Sequence, residues 1–269
     1  MPARAGRVGG HTDGLMTARV PAPTEVVARL RAAGCVFAED EATLLLAADG
    51  DLDALVGRRV AGEPLEQVLG WAEFCGRRFV VEPGVFVPRQ RTRLLVREAA
   101  SLARPGAVVL DLCCGTGAVG AAVAAAVDGV ELHAADADPA AVRCARRNVA
   151  GEVHEGDLYA ALPDRLRGRV DVLVANAPYV PTGEIALMPP EARDHEARAA
   201  LDGGPDGLDL QRRVAAGAPD WLAPGGVLLI ETSRRQAPGT LAAVTRAGLS
   251  ARVVADDDLA GTVVVGVLP

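Results

Sequence analysis

The chain has 269 residues, half of them hydrophobic and 23% charged, a globular composition that excludes a disordered or fibrous protein. At roughly 150 residues per domain, this length implies about two domains, with core enough to need no disulfide staples. A net charge of −7 opposes indiscriminate binding to nucleic-acid phosphates, so no stable nucleic-acid complex is expected.

Residues 1–21 are rich in glycine and arginine, lack periodicity and read as disordered, with Met16 as an alternative start. They carry no signal-peptide pattern. The longest uncharged run, Leu112–Val127, is shorter than the ~20 apolar residues of a membrane span and is broken by glycines. Cys35, Cys75, Cys113, Cys114 and Cys144 form no C-x-x-C pair. Neither a zinc site nor a disulfide framework is expected from them; reduced thiols in a cytoplasmic protein fit better. All 28 basic residues are arginine, which reads as coding bias and carries no functional meaning.

Residues 22–74 show helical spacing of Val26, Val27 and Leu30, then Leu44–Leu46, then Leu52, Leu55 and Val56, with a further helix over Pro64–Trp71. Residues 75–90 read as a hairpin linker, with Arg78–Val81 and Val85–Val87 as its strands around Pro83-Gly84. From residue 91 to 269 strands and helices alternate. Strands are expected at Val108–Cys113, Glu131–Asp136, Val153–Asp157, Asp171–Ala175 and Val227–Glu231, with Arg252–Ala255 and Thr262–Leu268 closing the chain. Helices are expected at Ala118–Val127, Pro139–Val149, Leu208–Leu222 and Gly239–Ala247. The alternation implies an α/β domain with a mostly parallel sheet covered on both faces. The last two strands have no helix between them, so one should be antiparallel.

Gly115, Gly117 and Gly120 form a G-x-G-x-x-G run between the first strand and its helix, a site for close approach of a nucleotide-like ligand. Asp111 lies four residues before the first glycine. A carboxylate there opposes a pyrophosphate but suits the ammonium and sulfonium charges of S-adenosylmethionine. Asp136, ending the second strand, can accept ribose hydroxyls of either nucleotide and does not discriminate. The fourth strand ends in Asn176-Ala177-Pro178-Tyr179, facing the glycine loop across the switch point. The Asn176 side-chain oxygen and the Ala177 carbonyl can accept the two N–H groups of an amide or amine. Pro178 restricts Ala177 to extended geometry and so aims that carbonyl, and Tyr179 offers a flat wall.

These residues resemble the HemK-like protein glutamine methyltransferases, which modify release factors. The resemblance runs from about residue 22 to the end. It takes in Glu63–Gly70, Val81–Arg89, Asp111–Gly117, Asn176–Tyr179, Pro189–Glu196, Ala200–Gly204, Asp206–Leu208 and Pro224–Gly226. It implies a helical substrate-recognition domain (22–74), a hairpin linker (75–90) and a Rossmann-like, seven-stranded S-adenosylmethionine-dependent methyltransferase domain (91–269). It implies that Gly115, Thr116, Gly117, Ala118, Val119, Asp136 and Asn176 contact the donor, and Asp111, Asp157 and Leu158 are expected to join them. Asn176, Ala177, Pro178 and Tyr179 would receive a glutamine side chain from a release factor or another translation protein. Three places depart from the family pattern: Ala177 stands for a proline, Gln90–Arg93 replaces acidic residues, and Glu231-Thr-Ser-Arg-Arg-Gln236 replaces Glu-Ile-Gly. They bear on the substrate more than on the reaction.

Arg77, Arg78, Arg89, Arg91, Arg93 and Arg97 form a basic stretch, read as a solvated face or as a contact for an acidic protein partner or ribosomal RNA. His195 has no partners at ligand spacing and is expected to order the loop over the site, and no metal is expected. Three other readings compete with a glutamine methyltransferase. An adenine N6-methyltransferase shares Asn-Pro-Pro-Tyr-type loops but brings a basic surface. A non-catalytic donor-binding module is entertained because of Ala177. An NAD-dependent oxidoreductase is disfavoured by Asp111 and by the Asn176–Tyr179 loop.

Overall fold

The computed structural model describes residues 21–269; the reading of the N-terminal stretch and of Met16 lies outside them. Two compact units divide between Val60 and Ala61.

The first unit holds α1 (Pro23–Ala32), α2 (Ala38–Leu46) and α3 (Leu52–Val60). Pro23 sits in the first turn of α1, where its missing N–H costs nothing. Val26, Leu30, Ala42, Leu45 and Val56 are buried between the helices. Among them the Arg59 guanidinium binds the buried Glu41 carboxylate through two hydrogen bonds of 2.6 and 3.1 Å.

The second unit opens with α4 (Leu65–Leu69), ended by Gly70 in the left-handed conformation. Trp71, read as the end of this helix, instead begins a strand. The hairpin is β1 (Trp71–Phe74) paired with β2 (Arg77–Val80), not Arg78–Val81 with Val85–Val87. Its turn is Cys75-Gly76, both with positive φ (50° and 71°), as a two-residue hairpin whose twist matches its strands requires. The hairpin docks on the α/β fold that follows it. Asn148 Nδ2 donates to the Val80 carbonyl, and Asn148 Oδ1 accepts the Val80 N–H.

Next come α5 (Arg93–Leu102), which the sequence reading passed over, β3 (Val108–Leu112), α6 (Ala118–Ala126), β4 (Glu131–Asp136) and α7 (Pro139–Asn148). Then follow β5 (Glu152–Glu155), β6 (Val170–Ala175), α8 (Pro190–His195), α9 (Asp209–Gly217), β7 (Leu222–Glu231), α10 (Ala237–Arg246), β8 (Ser250–Asp256) and β9 (Gly261–Val267). The long helix expected over Leu208–Leu222 stops at Gly217. Pro219 cannot continue it, and Leu222 already belongs to β7.

The sheet order is β5-β4-β3-β6-β7-β9-β8. The pairings from β5 to β7 are parallel, and β9 runs antiparallel to both neighbours. One face packs on α5, α6 and α7 through residues such as Leu95, Val123 and Ala145. The other packs on α9 and α10 through Val214, Trp221 and Val244. β3 is buried at every residue, as a central parallel strand covered on both faces must be. Chain order reverses between β3 and β6, so their carboxyl ends open a crevice.

Candidate functional site

At the end of β3 the backbone turns sharply. Cys113, Gly115 and Gly117 have φ of 56°, 55° and 74°, and α6 begins at Ala118. Gly120 is required by close approach, since a Cβ there would lie 3.0 Å from Asp111 Cβ. A Cβ at Gly115 would meet no protein atom within 4 Å, because this glycine faces a cavity.

That cavity has a volume of about 530 Å³, within the range of small-molecule sites. The glycine loop, the ends of β4 and β6, and the turn after β5 line one part of it; residues 84–88 and 197–200 line another. Of the residues singled out in the sequence, Asp111, Gly115, Thr116, Ala118, Val119, Asp136, Asp157, Leu158, Asn176 and Pro178 line it. Gly117, Ala177 and Tyr179 do not. Gly117 packs so closely under the helix that a Cβ would lie 2.5 Å from Val149 Cγ2. Ala177 is wholly buried, and Tyr179 turns toward Glu231.

The lining is acidic. Asp111 is buried and accepts the Gly120 N–H at 2.8 Å. Burial pushes its carboxyl up to about 7, the Gly120 N–H offsets part of this, and the charge of Asp136 adds to it. Asp136 accepts the Gly115 N–H through Oδ2 and the Asp138 N–H through Oδ1, both at 2.9 Å. Its carboxyl is also raised, chiefly by burial. Each of its oxygens keeps a lone pair for another donor. Asp157 is exposed and paired with Arg213 at 2.6 Å. Burial likewise pushes the Cys113 and Cys114 thiols up, which leaves them unreactive packing groups.

After β6, the Asn176–Tyr179 loop is clamped by backbone. Val180 N–H donates to the Leu201 carbonyl, Gly203 N–H to the Val180 carbonyl, and Gln236 Nε2 to the Tyr179 carbonyl. Cβ atoms at Gly203 or Gly207 would collide with this loop's backbone at 2.7 and 2.3 Å. Among the described residues, neither the Asn176 side-chain amide nor the Ala177 carbonyl is in a hydrogen bond with a protein group. Behind the loop, the Tyr179 hydroxyl donates to Glu231 Oε1 at 3.1 Å, and Arg91 Nε donates to the same oxygen at 3.3 Å. The Arg91 guanidinium lies 5.7 Å from the Tyr179 ring centroid.

Glu196 was missed in the sequence. Its side chain is buried, accepts the Val87 N–H at 3.0 Å and binds Arg89 at 2.7 Å. It thereby ties the 85–89 strap to the segment leading into residues 197–200, both part of the cavity's lining. The neighbouring His195, expected to order this loop, contributes its backbone carbonyl to Gln67 Nε2 at 3.3 Å. The basic stretch is largely spoken for. Arg78 stacks on Trp71, Arg89 and Arg91 bind Glu196 and Glu231, and Arg97 binds Asp256. No helix among the described residues is long and apolar enough to cross a membrane.

A family model described as the methyltransferase small domain matches residues 76–247. The release factor glutamine methyltransferase of Geobacter sulfurreducens is 39% identical over 208 residues, covering 76% of this chain and 72% of that protein. The 4-amino-L-phenylalanine/4-methylamino-L-phenylalanine methyltransferase of Streptomyces pristinaespiralis is 39% identical over 186 residues, 65% of this chain and 63% of that protein. A methyltransferase structure from Pyrococcus furiosus shares the fold with a TM-score of 0.55 at 17% identity, over 78% of this chain and 96% of that one. By these matches the chain belongs to the methyltransferase small domain family and, within it, to the family of the release factor glutamine methyltransferases.

Proposed function

We propose that this protein transfers the methyl group of S-adenosylmethionine to the side-chain amide nitrogen of a glutamine in a protein, a peptide chain release factor or another translation protein. The observation that carries this reading is the pairing of an acid-lined cavity with the unengaged side-chain amide of Asn176 in its lining; the unengaged Ala177 carbonyl is the next acceptor along the same loop. The residues present fit the donor. Asp136 has lone pairs for a ribose diol, Gly115 leaves room beside the loop, and Asp111 and Asp136 supply negative charge for a cation while repelling a pyrophosphate.

S-adenosylmethionine would supply an activated methyl group on a neutral thioether leaving group; once the C–N bond has formed the nitrogen is strongly acidic and its proton passes to water, so the protein needs no strong base. Its own task is to hold a planar, poorly nucleophilic nitrogen. Asn176 and Ala177 accept the two N–H groups, favour positive charge on nitrogen as it pyramidalises, and point its lone pair at the donor. Such orientation is worth up to ~7–11 kcal/mol, and each hydrogen bond adds ~1–3 kcal/mol of selective stabilisation. In this reading Asp157 and Leu158 flank the donor's base, the helical unit recognises the protein substrate, and the enzyme acts in the cytoplasm. The acidic net charge supports a protein substrate over a nucleic acid.

A second reading, methylation of the aromatic amine of a free amino acid, is favoured by the Streptomyces pristinaespiralis relative. One assay separates the two. Labelled methyl donor is offered with release factors, ribosomal proteins, nucleic acid and 4-amino-L-phenylalanine in parallel, and the label is located by mass spectrometry. Label on a glutamine of a release factor is the expected result. Label on the amino acid or on adenine alone overturns the proposal.

A further inference from the structure

We propose that His133, His154 and Glu152 form a binding site for a divalent transition-metal ion of zinc's class, away from the donor cavity. The three residues lie on the adjacent parallel strands β4 and β5, whose register sets His133 beside Glu152 and Ala135 beside His154. That register puts both imidazoles and the carboxylate on one side of the sheet. Their ligand atoms lie within 4.8 Å of one another.

The nitrogen geometry is specific. His133 Nδ1 and His154 Nε2 approach to 3.2 Å, with the rings nearly parallel at 16°. Two nitrogens bound tetrahedrally to zinc at ~2.0–2.1 Å stand about 3.3 Å apart. The pair is therefore already at ligand spacing. The far side of His133 is prepared as well, since its Nε2 lies 3.0 Å from Glu131 Oε1. An Nε2–H donated to that carboxylate fixes the tautomer with the Nδ1 lone pair facing His154. A carboxylate behind a ligating imidazole is the usual outer-shell support of a metal site.

Glu152 Oε2 lies 3.9 Å from His154 Nε2 and completes the set by a small swing of an exposed side chain. It would leave Arg165, which now binds both its oxygens at 2.5 Å. Water fills the fourth position, as at zinc sites with three protein ligands. Two imidazoles and a carboxylate suit zinc, nickel or cobalt better than magnesium or calcium. Such an ion would cross-link the four-residue edge strand β5 to β4. These are the strands that deliver Asp157 and Asp136 to the cavity.

The test uses untagged, chelator-treated full-length protein. Titration with Zn²⁺ is expected to show one site per chain with a dissociation constant of ~10 μM or tighter. His154→Ala should weaken it at least tenfold. Glu152→Gln, an exposed change that cannot disturb the core, should weaken it severalfold. Co²⁺ should give visible absorption without a thiolate charge-transfer band, and its paramagnetism should shift the imidazole signals of both histidines. No saturable site, unchanged affinity in His154→Ala with the fold intact by circular dichroism, or a thiolate band assigning the metal to cysteine would each overturn the proposal.

Discussion

Donor affinity should weaken tenfold between pH 8 and pH 6, with Asp111 responsible. Its carboxyl stands near 7 in the donor-free protein because it is buried with a single N–H for company and Asp136 close by. A cation in the cavity needs it ionised. The apparent dissociation constant is the intrinsic one divided by the ionised fraction. That fraction is about ten in eleven at pH 8, one half at pH 7 and one in eleven at pH 6, so the loss is about 1.4 kcal/mol. Stability of the donor-free protein moves the other way. A buried acid with a raised pKa holds its proton where the unfolded chain has lost it, so stability falls as pH rises from about 4 to 7 and levels off above. The assay is calorimetric titration of S-adenosylmethionine into the wild type and Asp111→Asn from pH 6 to 8. The variant keeps an acceptor for the Gly120 N–H but cannot titrate. Ionisation of the donor itself is common to both proteins and cancels in the ratio of their affinities. A ratio that stays constant across the range would refute the assignment.

Asn176→Ala should abolish methyl transfer while leaving donor affinity largely intact, checked by turnover and calorimetry on the same preparation; full activity would sink the proposed acceptor mechanism. Asp136→Ala should weaken donor binding by ~1.5–3 kcal/mol, the worth of hydrogen bonds to a charged group, and unchanged affinity by calorimetry counts against its role. Glu231→Gln removes the carboxylate shared by Tyr179 and Arg91. It should raise KM for the acceptor severalfold with donor affinity unchanged, and an equal loss in both would make Glu231 a merely structural group.

The parts legible in the sequence are those dictated by short-range backbone constraints. β4 was read with its observed bounds because Gly129 and Pro139 bracket a short apolar run. The glycine loop was read because positive φ at Gly115 and Gly117 and the contact at Gly120 leave little choice of residue. The hairpin was misplaced because its turn is Cys75-Gly76, not one of the usual asparagine or aspartate pairs. Meanwhile Val85–Val87 mimics a strand although its partner is Glu196, a side chain 109 residues away from Val87.

The same contrast divides the candidate site. Residues at or just past a strand's carboxyl end, such as Asp111, Asp136 and Asn176, line the cavity because the topology brings strand ends together. Tyr179 is expected as a wall of the site because its flat ring suits a planar amide, yet it is not among the cavity's lining residues, and its hydroxyl binds Glu231 while Arg91 lies over its ring. His133 and His154 lie 21 residues apart with no motif between them. They meet only because parallel strands in fixed register repeat side chains on one face, so their pairing belongs to β4–β5 register, which no local spacing encodes. A one-residue slip of β5 would turn His154 to the opposite face and dissolve the pair. The proposed metal would therefore reward the same register that carries Asp157 to the cavity beside Asp136, which makes donor affinity and metal affinity two readouts of one strand pairing.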